Sequence, residues 1–188
     1  MKICIDAGHG GEDPGALGTR PFRFEEKTFT LGLAARLEEE LEARGHWVAM
    51  TRRRDRRLSL ADRAAFANRL GADLFLSLHA NGAPEPDAEG IEVFHFPGSA
   101  AGERIGEQVL AALVAAFPEH RNRGLRSANF AVLRDTTMPA LLIECEFITN
   151  PAQLRFLTDP ANWVRLAEAI AAGLDPDGSG GGWALADD

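Results

Sequence analysis

The chain has 188 residues, 45% hydrophobic and 26% charged, with a formal net charge of −8, which is enough apolar material for one globular core. The negative balance argues against nucleic-acid binding through a basic patch and against attraction to membranes through a polybasic face. No apolar run approaches the ~20 residues that a membrane-spanning helix needs.

In chain order, residues 2–6 read as a buried strand that runs into CIDAGHGG, Cys4 to Gly11. This stretch ends in a histidine set among glycines, at the kind of strand end where open α/β sheets bind ligands. EEKTFTLGLAARLEEELEARG is a helix: Phe29, Leu33, Leu37 and Leu41 recur every four residues, and Gly45 stops it. HWVAMTR is a strand. SLADRAAFANRLG is a second helix, opened by Ser59 three residues before Asp62 and closed by Gly71. ADLFLSLHAN is a strong strand ending in His79, GIEVFHF is another, and AAGERIGEQVLAALVAAF is a third long helix. NFAVLR is short and strand-like, and PALLIECEFITN is a buried strand with acids at its far end. Asn150-Pro151 and Asp159-Pro160 pair an N-cap with a first-turn proline, so each opens a helix.

This alternation points to a three-layer α/β domain, with the continuous apolar runs Leu74–Leu78 and Leu141–Ile143 at the sheet centre. The expected organisation is one domain over 1–174 and a mobile, glycine-rich acidic tail over 175–188. Cys4 and Cys145 lie far apart in strand-like runs and read as buried thiols.

Four residues stand out for chemistry. His9 follows the first strand, His79 ends the central one, Glu26 opens the first helix, and Glu144 lies near the end of the last core strand. If the strands are parallel, all four converge on one edge of the sheet. Two imidazoles and one carboxylate make a zinc donor set with one position left open, and a nearby unligated carboxylate is the usual general base for attack on an amide. Each residue also has a structural alternative. A histidine at a strand end is often simply hydrogen-bonded, Glu144 can pair with an arginine, and Glu26 or Glu25 complements a helix dipole. Spacing does not choose between Glu25 and Glu26. His46, His95 and His120 read as structural.

The segments DAGHGGEDPGALG, EEKTFTLGLAARL, TRRRDRRLSLADRAAFAN, ADLFLSLHANG, GIEVF and NRGLRSANFAVLRDTTMPALLIECEFITNP resemble, in order, the zinc-dependent N-acetylmuramoyl-L-alanine amidases of the amidase-3 type. These are the catalytic domains of many autolysins and phage endolysins. The resemblance runs to about Gly173. It implies a twisted, mostly parallel six-stranded sheet flanked by helices, one zinc ion per chain, and peptidoglycan as substrate. It also implies His9, Glu26 and His79 as zinc ligands and Glu144 as the catalytic residue, with Asp6 supporting the loop. Asn81 and Arg134 are expected substrate contacts.

The chain departs from the family in one place: Glu146 stands where the family has glycine. Residues two apart on a strand share a face, so Glu146 is expected beside Glu144, raising one of the two carboxyl pKa values. A bulge after Cys145, or an arginine neutralising Glu146, are the alternatives. Family members that need an activator carry an inserted helix before the segment like NRG. Here only His95 to Arg121 intervenes, so a monomer active without a partner protein is expected. The N-terminal MKICIDAG lacks the regions of a secretory signal. The chain is therefore expected to stay in the cytoplasm until released to the cell wall, as a phage or prophage endolysin does. A host autolysin domain, an amidohydrolase of soluble muropeptides and a non-catalytic wall-binding module are the alternatives.

Overall fold

Alternation along each strand decides which side of the sheet a side chain faces, and here both sides are covered. The computed structural model describes residues 1–175, so residues 176–188 of the expected tail lie outside the described residues. In chain order the elements are β1 (Lys2–Ala7), β2 (Leu17–Gly18), β3 (Phe24–Glu25), α1 (Glu26–Ala43), β4 (Trp47–Met50), α2 (Leu60–Leu70) and β5 (Leu74–Asn81). There follow β6 (Ile91–His95), α3 (Ala100–Ala116), β7 (Asn122–Ser127), α4 (Ala131–Arg134), β8 (Ala140–Phe147), α5 (Pro151–Thr158) and α6 (Pro160–Leu174). The six-stranded sheet has the order β4-β1-β5-β8-β6-β7. All neighbours are parallel except β6 and β8, so the expected mostly parallel architecture holds. β2 and β3 form a separate small ribbon leading into α1.

On one side of the sheet, Ile3, Ile5, Leu76, Leu78 and Ile143 pack with Phe29, Leu33 and Leu37 of α1, Val109 and Leu113 of α3, and Leu166 and Ile170 of α6. On the other, Cys4, Phe75, Ala140 and Leu142 form a smaller core with Ala67 of α2 and Val132 and Leu133 of α4. The run of apolar residues in β5 and β8 follows from this, since both their faces are buried. Both cysteines are buried free thiols.

The helix boundaries match the sequence signals. Ser59 Oγ accepts from the Asp62 N–H at 3.1 Å, Asn150 Oδ1 from Ala152 N–H at 2.9 Å, and Asp159 Oδ1 from Ala161 N–H at 2.9 Å. One segment differs. NFAVLR is not a strand: Ala131–Arg134 is a helical turn, with the N–H groups of Leu133 and Arg134 both donating to Phe130 O. Val132 and Leu133, adjacent in sequence, are both buried in the same smaller core, an arrangement that a helical turn accommodates. The edge strand is the preceding NRGLRS, whose one large apolar residue, Leu125, gave no apolar pattern to read.

Candidate metal centre

The sheet brings three of the four residues together at the C-terminal ends of β1 and β5. His9 leaves β1 in the left-handed region at φ 61°, an uncommon conformation for a residue with a side chain. The left-handed turn aims the ring back over the sheet. A side chain at Gly8 would collide with the His79 ring, and one at Gly15 with Glu26 and His9, so these two glycines are required by the close approach of the rings. His9 Nε2 lies 3.1 Å from Glu26 Oε2, and His79 Nδ1 lies 2.9 Å from Glu26 Oε1. The two imidazoles meet edge to face, with centroids 5.0 Å apart. One donor atom from each of His9, Glu26 and His79 falls within 4.8 Å of the others. This geometry chooses between the two glutamates. Glu25 instead lies with Arg23 and Lys27, at 3.1 and 3.4 Å.

Electrostatics fit a cation site. Burial works against the Glu26 charge, yet hydrogen bonds from His79 and His9 hold its carboxyl well below the usual range. Its two oxygens also accept from the N–H groups of Ala80 and Ala16, at 3.0 and 2.7 Å. Burial lowers His79, but Glu26 outweighs this and raises it to about 9. His9 Nδ1 donates to Asp13 Oδ2 at 3.0 Å, a partner that fixes the tautomer and leaves Nε2 facing the cluster. Two imidazoles and a carboxylate suit a divalent transition metal with an open position.

Glu144 is the register partner of His79 across β5 and β8. Burial pushes its carboxyl up to about 7; His79 opposes this, and Glu26 and Glu92 add to it. Its Oε2 is buried without a hydrogen-bond partner among the described residues. A carboxyl with a free oxygen and a proton affinity near neutrality can both take and return a proton.

The expected neighbour of Glu144 is a different residue. Between His79–Glu144 and Asn81–Phe147 the pairing shifts, with one extra residue on β8. This bulge breaks the two-residue period, and Glu146 is fully buried elsewhere. It accepts from His120 Nδ1 at 2.8 Å, Gly90 N–H at 2.8 Å and Phe147 N–H at 3.0 Å. The carboxylate beside Glu144 is Glu92, its register partner on β6. The bulge alternative is therefore the one observed, and the expected coupling of Glu146 to Glu144 is not.

Of the expected substrate contacts, Asn81 donates through Nδ2 to Glu92 Oε1 at 2.6 Å. Arg134 is exposed, pairs with Asp135 at 2.8 Å, and lines a separate cavity with Ser99 and Pro139. Beside His9 and His79 lies a cavity of about 410 Å³, walled by Leu58, Leu60, Phe130 and Val132 with Arg57.

The support beneath the cluster was only partly anticipated. Asp6 is buried, as its loop role required, and accepts from Thr51 Oγ1 at 2.6 Å, Ser77 Oγ at 2.8 Å and Arg63 Nη1 at 2.8 Å. Arg63 also donates to the carbonyls of Ala7 and His9, both at 2.7 Å. Arg52, fully buried, donates to Ala7 O at 2.9 Å and Gly8 O at 2.8 Å. The only local signal for Arg52 was its place at the end of the run HWVAMTR, ahead of the exposed Arg53, Arg54, Arg56 and Arg57.

Residues 3–176 match the Amidase_3 family, described as N-acetylmuramoyl-L-alanine amidase. The chain is 37% identical over 177 residues to the sporulation-specific N-acetylmuramoyl-L-alanine amidase of Bacillus subtilis (strain 168), covering 93% of this chain and 67% of that one. It is 34% identical over 172 residues to the probable cell wall amidase LytH of Staphylococcus epidermidis, and spans 56% of that protein's length. The CwlD amidase of Clostridioides difficile, solved in complex with the GerS lipoprotein, superposes with a TM-score of 0.87 at 27% identity, over 93% of this chain and 96% of that one.

Proposed function

We propose that this chain, which belongs to the N-acetylmuramoyl-L-alanine amidase family, hydrolyses the amide between the lactyl group of N-acetylmuramic acid and L-alanine of the stem peptide, with zinc as its metal. The observation that carries the reading is the convergence of His9, Glu26 and His79 within 4.8 Å, with Glu144 in register beside His79.

His9, Glu26 and His79 would hold the zinc, which would supply Lewis-acid chemistry toward the scissile carbonyl and a water molecule. Asp13 orients His9 through Nδ1. Glu144 accepts the proton of the attacking water at its unpaired Oε2 and delivers it to the nitrogen of L-alanine as the amide breaks. The raised proton affinity of Glu144 suits this second step, because the acid must be strong enough to release to an amine yet basic enough to have taken the proton. Asn81 holds Glu92, the neighbour of Glu144, in this scheme.

The chain works without an activator in this reading. Between β6 and β7 the described residues hold α3 and its short connections, and α3 packs on β6 and α6. The CwlD amidase was solved with a lipoprotein partner, so activity of the isolated chain is a direct check. The site of action is the cell wall, outside the cytoplasm. The narrower endolysin role is a reading from the sequence, whereas the relatives named above are a sporulation-specific and a cell wall amidase. Bacterial wall turnover is therefore the setting we adopt, and a neighbouring holin reading frame would reverse that choice.

The experiment is digestion of purified murein by the isolated chain with added zinc, with and without chelator, scored by new L-alanine amino termini. Chelator-sensitive release supports the reading. Release from small muropeptides alone replaces the substrate, and binding without release replaces the enzyme with a wall-binding module.

A further inference from the structure

We propose that Arg123 and Arg126 form an anion subsite that recognises a free carboxylate on the stem-peptide residue following L-alanine; this rests on the amidase reading above. Glu92 and Glu144 face each other across the antiparallel pair β6–β8, so their side chains leave the same face of the sheet as neighbours. Glu92 is buried. It accepts from Asn81 Nδ2 at 2.6 Å and pairs with Arg126 Nε at 3.3 Å and Arg123 Nε at 3.5 Å. One carboxylate thus gathers two guanidinium groups at ion-pair distance; Arg126 Nε also donates to Arg123 O at 3.4 Å, and Arg123 Nε has no hydrogen-bond partner among the described residues.

The outer nitrogens retain donor capacity. The Arg126 side chain is 51% exposed, and neither of its Nη atoms has a hydrogen-bond partner among the described residues. Arg123 lies over the Phe147 ring at 4.8 Å and uses Nη1 on Glu89 O at 3.2 Å, which holds Arg123 in place beside Arg126. Forked donors held in this way suit a carboxylate.

The reaction sets the direction. Glu144 must reach the nitrogen of L-alanine, so the departing peptide lies on the Glu144 side of the cluster. The strands next to β8 on that side are β6 and β7, which carry Glu92, Arg123 and Arg126. The mostly apolar cavity opens instead beside His9 and His79 and is left for the glycan side. The residue after L-alanine in a stem peptide is a glutamate joined through its side-chain carboxyl, which leaves its α-carboxyl either free or amidated. The subsite distinguishes these two forms.

The test compares kcat/KM of the full zinc-loaded chain on N-acetylmuramoyl-L-Ala-γ-D-Glu-L-Lys and on the same compound with the α-carboxyl amidated. Binding of the two corresponding tripeptides to the Glu144→Gln chain, by calorimetry, gives the same comparison without turnover. The unsubstituted protein is expected to favour the free acid by about ten-fold, the scale of a charge-assisted pair, and to lose that preference as salt rises. Arg126→Gln brings the ratio close to one, Arg126→Lys restores part of it, and Arg36→Gln, on the exposed face of α1, leaves it intact. A ratio near one in the unsubstituted protein, a ratio unmoved by Arg126→Gln, or a ratio lost in Arg36→Gln overturns the subsite. No cleavage of either compound by the unsubstituted protein overturns the amidase reading itself, and the subsite with it.

Discussion

The molecule buries histidine against glutamate in two places, and they behave as opposites. At His120 and Glu146 the carboxylate is saturated by one ring nitrogen and two backbone N–H groups. The imidazole sits between Phe117 and Phe156, with centroids 5.8 and 4.3 Å away. At His9, Glu26 and His79 two imidazoles compete for one carboxylate, a cavity opens alongside, and the adjacent Glu144 keeps an unpaired oxygen. The first arrangement is closed and can only hold structure together. The second has donor atoms converging on one point, which is what a metal requires. Convergence together with incompleteness, more than the presence of a buried histidine–carboxylate pair, marks the functional site.

The contrast can be broken in graded ways. The largest effect is expected from Glu144→Gln, which keeps the shape of the side chain but cannot take a proton. Its rate should fall by about three orders of magnitude while metal content by atomic absorption stays at the unsubstituted level; an equal loss of metal would move Glu144 into the ligand set. Next comes Glu146→Ala in the closed pair. It strands a buried histidine and two N–H groups, and should cost about 3 kcal/mol, seen calorimetrically as a fall in Tm of roughly 6–12 °C. Bound metal should be unchanged in that variant, and a loss of metal at full stability would erase the distinction drawn here.

A smaller effect is expected from Asp13→Asn, which frees the His9 ring to rotate. Metal affinity, measured against a competing chelating dye, should weaken about ten-fold with little change in the melting curve. The smallest is Glu25→Gln, adjacent in sequence to a cluster residue but paired outward with Arg23 and Lys27. Metal content and rate should both match the unsubstituted chain, and a loss of either would mean that the cluster uses the wrong glutamate.

Much of this was legible in the sequence because it is local. Phe29, Leu33, Leu37 and Leu41 announce the buried face of α1, and Ser59, Asn150 and Asp159 announce where helices begin. His9, His79 and Glu144 could be picked out as residue types at element ends, whereas Glu26 was separated from Glu25 only by the family resemblance. What was not legible depends on partners distant in the chain. The edge strand β7 has a neighbour on one side only, so it needs no apolar run and shows none. The bulge that turns Glu146 away from Glu144 is one inserted residue, and counting by twos carries the error past it. Glu92 becomes the neighbour of Glu144 only because β6 runs antiparallel to β8, an orientation that no local pattern encodes.

The two buried arginines under the His9 loop carry a further consequence. Arg52 and Arg63 grip the carbonyls of Ala7, Gly8 and His9 from beneath, so the curvature of that loop is held by groups of the chain itself. The His9 side of the cluster is thus a braced wall rather than a free loop. The donor set differs from what calcium asks for, six to eight oxygens in a yielding shell: it offers two nitrogens and one carboxylate. For the metal proposed above, part of the selectivity would then rest on guanidinium groups that lie outside the His9, Glu26 and His79 donor set.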